Sequence, residues 1–198
     1  MNNQIILFTG WLASAAFIVG SLLMGSLLSD YSPISQTVSE IGQSGSPLYG
    51  AWQVFTISIG VLLIIFSAAI ISFAKTHKLS IIPGIFLLLA GISEFGIGLY
   101  PSPHSLHNVF GLSMTLGYLT PLIVALSWKA SLGKNLRTLS YLSFILIVLG
   151  IFLNLTPAFA PDLYSLEYYG LVQRFLLFTF YIYIFYLSLV TTTLSPRS

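Results

Sequence analysis

The chain has 198 residues, of which 56% are hydrophobic and only 6% are Asp, Glu, Lys or Arg, with a formal net charge of +2. A soluble domain carries about 25% charged residues, so an ordinary water-facing surface is excluded, and seven basic residues are too few for a nucleic-acid-binding face. The chain has no cysteine, which excludes disulfides and thiolate chemistry.

The long uncharged runs read as membrane spans. A bilayer core offers no water to backbone N–H and C=O groups, so a span is a helix or part of a closed barrel. The runs lack period-2 alternation and are too long for barrel strands. The expected fold is therefore all-α: one domain over 1–198, a polytopic six-transmembrane-helix bundle. The spans are expected at about 4–28, 50–74, 80–99, 106–128, 138–159 and 170–193. The first lacks a positively charged n-region and is too long for a usual signal-peptide core, so it reads as a span.

After the first span comes a loop of about 20 residues, "SDYSPISQTVSEIGQSGSPLYGAWQVF", rich in Ser, Gly and Pro. A loop this long in a compact protein is often functional. "SQTVSE" suits a short helix start, with Ser35 or Thr37 as N-cap and Glu40 supporting the first turn. Lys75 and Lys78 follow the second span; Lys129, Lys134 and Arg137 follow the fourth; Arg197 follows the sixth. These exits share one side, which the positive-inside rule makes cytoplasmic, with both termini there. Asp30, Glu40, Glu94, Asp162 and Glu167 then lie on or near the outer side. Glu94, in the third span, and Arg174, in the sixth, are ionisable groups in apolar segments. Such a group costs on the order of 3 kcal/mol at a helix centre, so the two are expected to face the interior, with Arg174 meeting Glu94 or Glu40.

"YPSPHSLH" (Tyr100–His107) places two of the three histidines three residues apart before the fourth span. The plain reading is that His104 caps the helix and His107 hydrogen-bonds a neighbour. The others are a ligand-binding or proton-handling role, or a metal held by His104 and His107 with a third ligand from Glu40, Glu94, Asp30 or Asp162. His-x-x-His without an intervening Glu is a weak metal signal. No nucleophile elbow, phosphate loop or haem-type histidine pair is present, so no cofactor is expected.

The openings of the second and sixth spans share Tyr-Gly-x-x-Gln-x-Phe: "YGAWQVF" (Tyr49–Phe55) and "YGLVQRF" (Tyr169–Phe175). The fourth span begins "HNVFG" (His107–Gly111), so each of these three spans starts with a polar group one or two turns inside: Gln53, His107 with Asn108, and Gln173 with Arg174. Gly10/Ser14, Gly91/Gly98 and Gly111/Gly117 are expected to allow close helix approach.

"YSPISQTVSEIG", "GLYPSPHSLHNVFG" and "YGLVQRF" together resemble the prokaryotic membrane family catalogued as domain of unknown function 998. The resemblance implies a six-helix bundle with no established activity, in a prokaryotic cytoplasmic membrane. Its motif positions fall on Ser39-Glu40, on Pro101 with His107, and on Gly170 with Arg174. The acid that the family carries soon after the proline is replaced by Ser102 and Pro103.

The candidate ligand-binding residues are thus Ser39, Glu40, Gln53, Glu94, His107, Gln173 and Arg174, around an outward-facing polar pocket. Membrane lipids are the expected partners. Three function classes stand: a site that binds or processes a lipid head group or small amphiphile, a small ion- or proton-coupled transporter, and an assembly subunit without chemistry. A lateral gap to lipid would favour the first, a polar path across the bilayer the second, and a filled core the third.

Overall fold

A computed structural model describes residues 3–128, 132 and 134–195. It contains α1 (Asn3–Ser26), α2 (Tyr49–Thr76), α3 (Ile82–Leu99), α4 (Ser105–Gly117), α5 (Thr120–Ser127), α6 (Lys134–Phe159) and α7 (Tyr169–Leu194). Two short 3-10 turns, Val38–Gly42 and Leu166–Tyr168, precede α2 and α7. Among the described residues there is no strand. Six segments are long and apolar enough to cross a membrane, α4 and α5 together forming the fourth. The protein is a multi-pass, all-α membrane protein. Lys129 and Arg197, part of the charge asymmetry, lie outside the described residues.

The helices close into a ring. α1 packs on α2 and α7, α2 on α3, α3 on α4 and α5, α5 on α6, and α6 on α7. Lipid-facing positions stay apolar, as at Ile5, Leu23, Ile145 and Ile182. Phe66, Ile70, Phe73, Leu87 and Leu187 are fully buried and fill the half of the bundle nearer Lys75 and Lys78. The α2–α3 seam is close because glycine leaves room: a Cβ on Gly98 would lie 2.7 Å from the Ile57 nitrogen. Backbones that approach this far gain dispersion contacts, the main source of helix association in lipid.

The fourth span is broken. Tyr118 and Leu119 form a turn and Pro121 opens α5, a proline break of the usual kind. Gly117 presses on Ala90, holding the end of α4 against α3. Beyond the break α5 packs on α6, whereas α4 has no comparable packing with α6 or α7. The ring is therefore sealed at the basic end and open between α4 and α6 at the other, which carries the long first loop.

Candidate functional site

The first loop folds by local polar chemistry. Thr37 is the N-cap of the first 3-10 turn. The Glu40 carboxylate accepts from the Thr37 N–H at 3.0 Å and from its hydroxyl at 2.8 Å, an anion supporting a helix start. Val38 and Ile41 bury their side chains in the core, so the turn sits in the mouth of the bundle. The Ser44 N–H donates to the Ser102 carbonyl at 2.9 Å, joining the first loop to the one before α4.

Arg174 fastens this loop to α7. Its Nη1 donates to the carbonyls of Pro33 at 2.8 Å, Gln36 at 2.7 Å and Gly170 at 3.0 Å, and its Nη2 to the Tyr31 hydroxyl. The expected pairing with Glu94 or Glu40 is not made: none of these acceptors is a carboxylate. Backbone carbonyls hold Nη1 and the Tyr31 hydroxyl holds Nη2, while the buried Nε has no hydrogen-bond partner among the described residues; Glu40 is used by its own helix cap. Gly170 lets the loop approach, since a Cβ there would lie 2.4 Å from the Gln36 carbonyl oxygen. Burial pushes the pKa of the Tyr31 hydroxyl above its ordinary value, against the opposing pull of the Arg174 guanidinium.

Beneath the loop lies a cavity of about 550 Å³, within the range of small-molecule sites. Its polar rim includes Thr37, Ser39, His107, Asn108 and Gln173; Glu94 and Tyr118 lie deeper; its walls are apolar, with Leu112 of α4 and Leu155 of α6 among them. Those two leucines are 72% and 57% exposed, so the cavity wall continues onto the lipid-facing surface across the α4–α6 gap.

His104 and His107 do different jobs. His104 is exposed and its Nδ1 accepts from the Leu106 N–H at 3.1 Å, which caps α4. His107 is half-buried; its Nδ1 lies 3.0 Å from the Tyr100 carbonyl oxygen and its Nε2 3.2 Å from Ser39 Oγ. A carbonyl oxygen only accepts, so Nδ1 carries the proton in the neutral ring and Nε2 accepts from the Ser39 hydroxyl. Among the described residues no group of three His, Cys, Asp or Glu is placed to hold a metal ion.

Of the candidate residues, Ser39, Glu94, His107 and Gln173 line the cavity, and Glu40, Gln53 and Arg174 do not. Gln53 donates to the Leu99 carbonyl at 3.2 Å, whereas Gln173 accepts from the Val38 N–H at 2.7 Å. The repeated motif thus serves two different contacts. Glu94 is buried, and among the described residues no cation is hydrogen-bonded to it. The fully buried Tyr181 hydroxyl lies beside its carboxyl, yet has no well-formed hydrogen bond. Asn108, which stands beside His107 in the sequence but is not among the candidates, and Tyr118, which no sequence signal marks, also line the cavity. Gly111, expected to seat a neighbouring helix, has nothing within 4 Å of an added Cβ and forms part of the cavity wall.

A family model described as "Protein of unknown function (DUF998)" matches residues 11–190. The chain belongs to this family. The matched region of this DUF998 protein takes in the whole first loop, the His107 turn and the Arg174 clasp, so the cavity lies within the family domain. No curated protein and no solved structure matches the chain.

Proposed function

We propose that this DUF998 protein binds a membrane amphiphile that enters sideways from the bilayer between α4 and α6. The observation that carries this reading is the cavity wall running through Leu112 and Leu155 onto the lipid-facing surface. The acyl tail gains little by exchanging bilayer for an apolar wall, because lipid tails are as apolar as leucine. Selection must therefore come from the polar rim, Ser39, His107, Asn108 and Gln173, with Glu94 beneath it. The filled basic half of the bundle supports binding over passage of a polar solute. With Lys75, Lys78 and Arg137 on the cytoplasmic side of a prokaryotic membrane, the cavity opens to the outer leaflet.

The test is photocrosslinking. A phospholipid with a diazirine in its acyl chain, reconstituted with the full chain, is expected to label Leu112 and Leu155 above the general lipid-facing background at Ile5 and Ile145. Gly111→Leu fills open cavity space and is expected to lower that excess several-fold. Uniform labelling of all four positions would sink the reading.

A further inference from the structure

The geometry points to Ser39 and His107 as a nucleophile–base pair that cleaves a long-chain carboxylic ester held in the α4–α6 cavity. This rests on the amphiphile-binding reading and adds a reaction to it.

Three observations converge. Ser39 Oγ is 3.2 Å from His107 Nε2, in the range where a base can take the hydroxyl proton, and contacts of this kind tighten when substrate binds. The opposite ring nitrogen is held by the Tyr100 carbonyl at 3.0 Å. That fixes both ring orientation and tautomer, the part a third group plays in an activated serine. Finally, both side chains line the lipid-accessible cavity, so the pair faces a space where an ester carbonyl can sit. A contact serving only to tie the loop to α4 would not require that placement.

A donor for the developing oxyanion stands beside them. Gln173 spends its amide oxygen on the Val38 N–H, one residue from Ser39, at 2.7 Å. Its NH₂ group makes no hydrogen bond among the described residues, and Gln173 lines the cavity. Amide donors preset in this way act on charge that develops in the transition state.

The step balances without a cofactor. Ser39 Oγ attacks the ester carbonyl carbon while its proton moves to His107 Nε2. The tetrahedral intermediate collapses, the C–O bond to the alcohol breaks, and the alcohol leaves with the proton from His107. Water, deprotonated by His107, then attacks the acyl-Ser39 ester; the carboxylic acid departs and Ser39 regains its proton.

The experiment uses the full chain in phospholipid nanodiscs with two fluorophosphonate probes, one ethyl and one hexadecyl, and mass spectrometry of the Ser39 peptide. The expected result is an adduct on Ser39, formed faster with the hexadecyl probe. It is absent in Ser39→Ala and slowed about 100-fold or more in His107→Gln, while His104→Ala labels as the wild type does. No Ser39 adduct in the wild-type chain overturns the proposal without reliance on any variant's folding, as does an equal rate in wild type and His107→Gln. If the diazirine lipid still marks Leu112 and Leu155 in that case, the binding reading survives and only the chemistry falls. Equal rates for the two probes overturn the long-chain substrate class.

Discussion

Arg174 Nη1 and the carbonyl of Pro33 are 2.8 Å apart across 141 residues of sequence. With the Gln36 carbonyl and the Tyr31 hydroxyl, this bond makes the sixth span the anchor of the first loop. The loop in turn carries Ser39 into the cavity rim. Hydrogen bonds to a charged group contribute about 1.5–3 kcal/mol each, and Arg174→Ala would leave several buried acceptors without a donor. The expected outcome is a fall in thermal stability in detergent together with rapid proteolytic cleavage within 27–48. Arg174→Lys is expected to be intermediate, because one ammonium cannot reproduce a planar fork. Unchanged protease resistance in Arg174→Ala would show that the loop is held by something else.

Tyr31 gives that clasp a pH limit. Its pKa lies above the ordinary 10.0, mainly through burial. A group whose folded pKa is raised stabilises the fold fully below its unfolded value, and that contribution fades as pH climbs through the folded value. Loop protection from protease is therefore expected to be flat up to about pH 10 and to fall above it. In Tyr31→Phe the alkaline fall should be smaller. Equal alkaline sensitivity of the two proteins would rule Tyr31 out as its source.

The repeated motif supplies a matched pair of glycine tests. A Cβ on Gly170 meets two backbone carbonyls, Gln36 at 2.4 Å and Pro33 at 2.7 Å, whereas a Cβ on Gly50 meets nothing within 4 Å. Gly170→Ala must push the loop away and is expected to destabilise and to expose 27–48. Gly50→Ala only relieves the helix cost of glycine, about 0.5–1 kcal/mol, and is expected to be neutral or stabilising. Melting curves of the two variants check the signs; like behaviour of both would contradict the loop placement.

Much of the fold was legible and much of the site was not, for definite reasons. Spans are written in local hydropathy, and the expected bounds fall within a few residues of the helices found. Thr37 as N-cap with Glu40 behind it is likewise a local pattern. The partners of Arg174 were not legible, because backbone carbonyls leave no mark in a sequence and acids do; reasoning from charge therefore chose Glu94 and Glu40. The Ser39–His107 contact joins the first loop to the start of α4 across 68 residues. Nothing at either end of it announces the other. A proline within a span marks a break, yet the consequence of Pro121, α5 leaning on α6 while α4 stays with α3, depends on packing beyond it.

Glu94 yields the last prediction. It is buried in α3, 4% exposed, and it faces the cavity beside Tyr118 and Tyr181, with no cation paired to it among the described residues. Had it been paired with Arg174, neutralising it would strand a buried cation and cost about 3–5 kcal/mol. Arg174 is instead held by carbonyls and the Tyr31 hydroxyl, so Glu94→Gln puts a neutral amide in place of a buried acid and breaks no ion pair. Its amide keeps the volume and can donate toward the Tyr181 oxygen, which has no well-formed partner in the wild type. The expected result is a melting temperature equal to or above wild type, with loop 27–48 as protease-resistant as before. If Glu94 meets the head group, the same variant should also lower the excess lipid labelling at Leu112 and Leu155. That gives a loss of binding without a loss of stability, the opposite of what Arg174→Ala should show. A large drop in melting temperature for Glu94→Gln would mean that the carboxylate has a structural partner, and Glu94 would then leave the site.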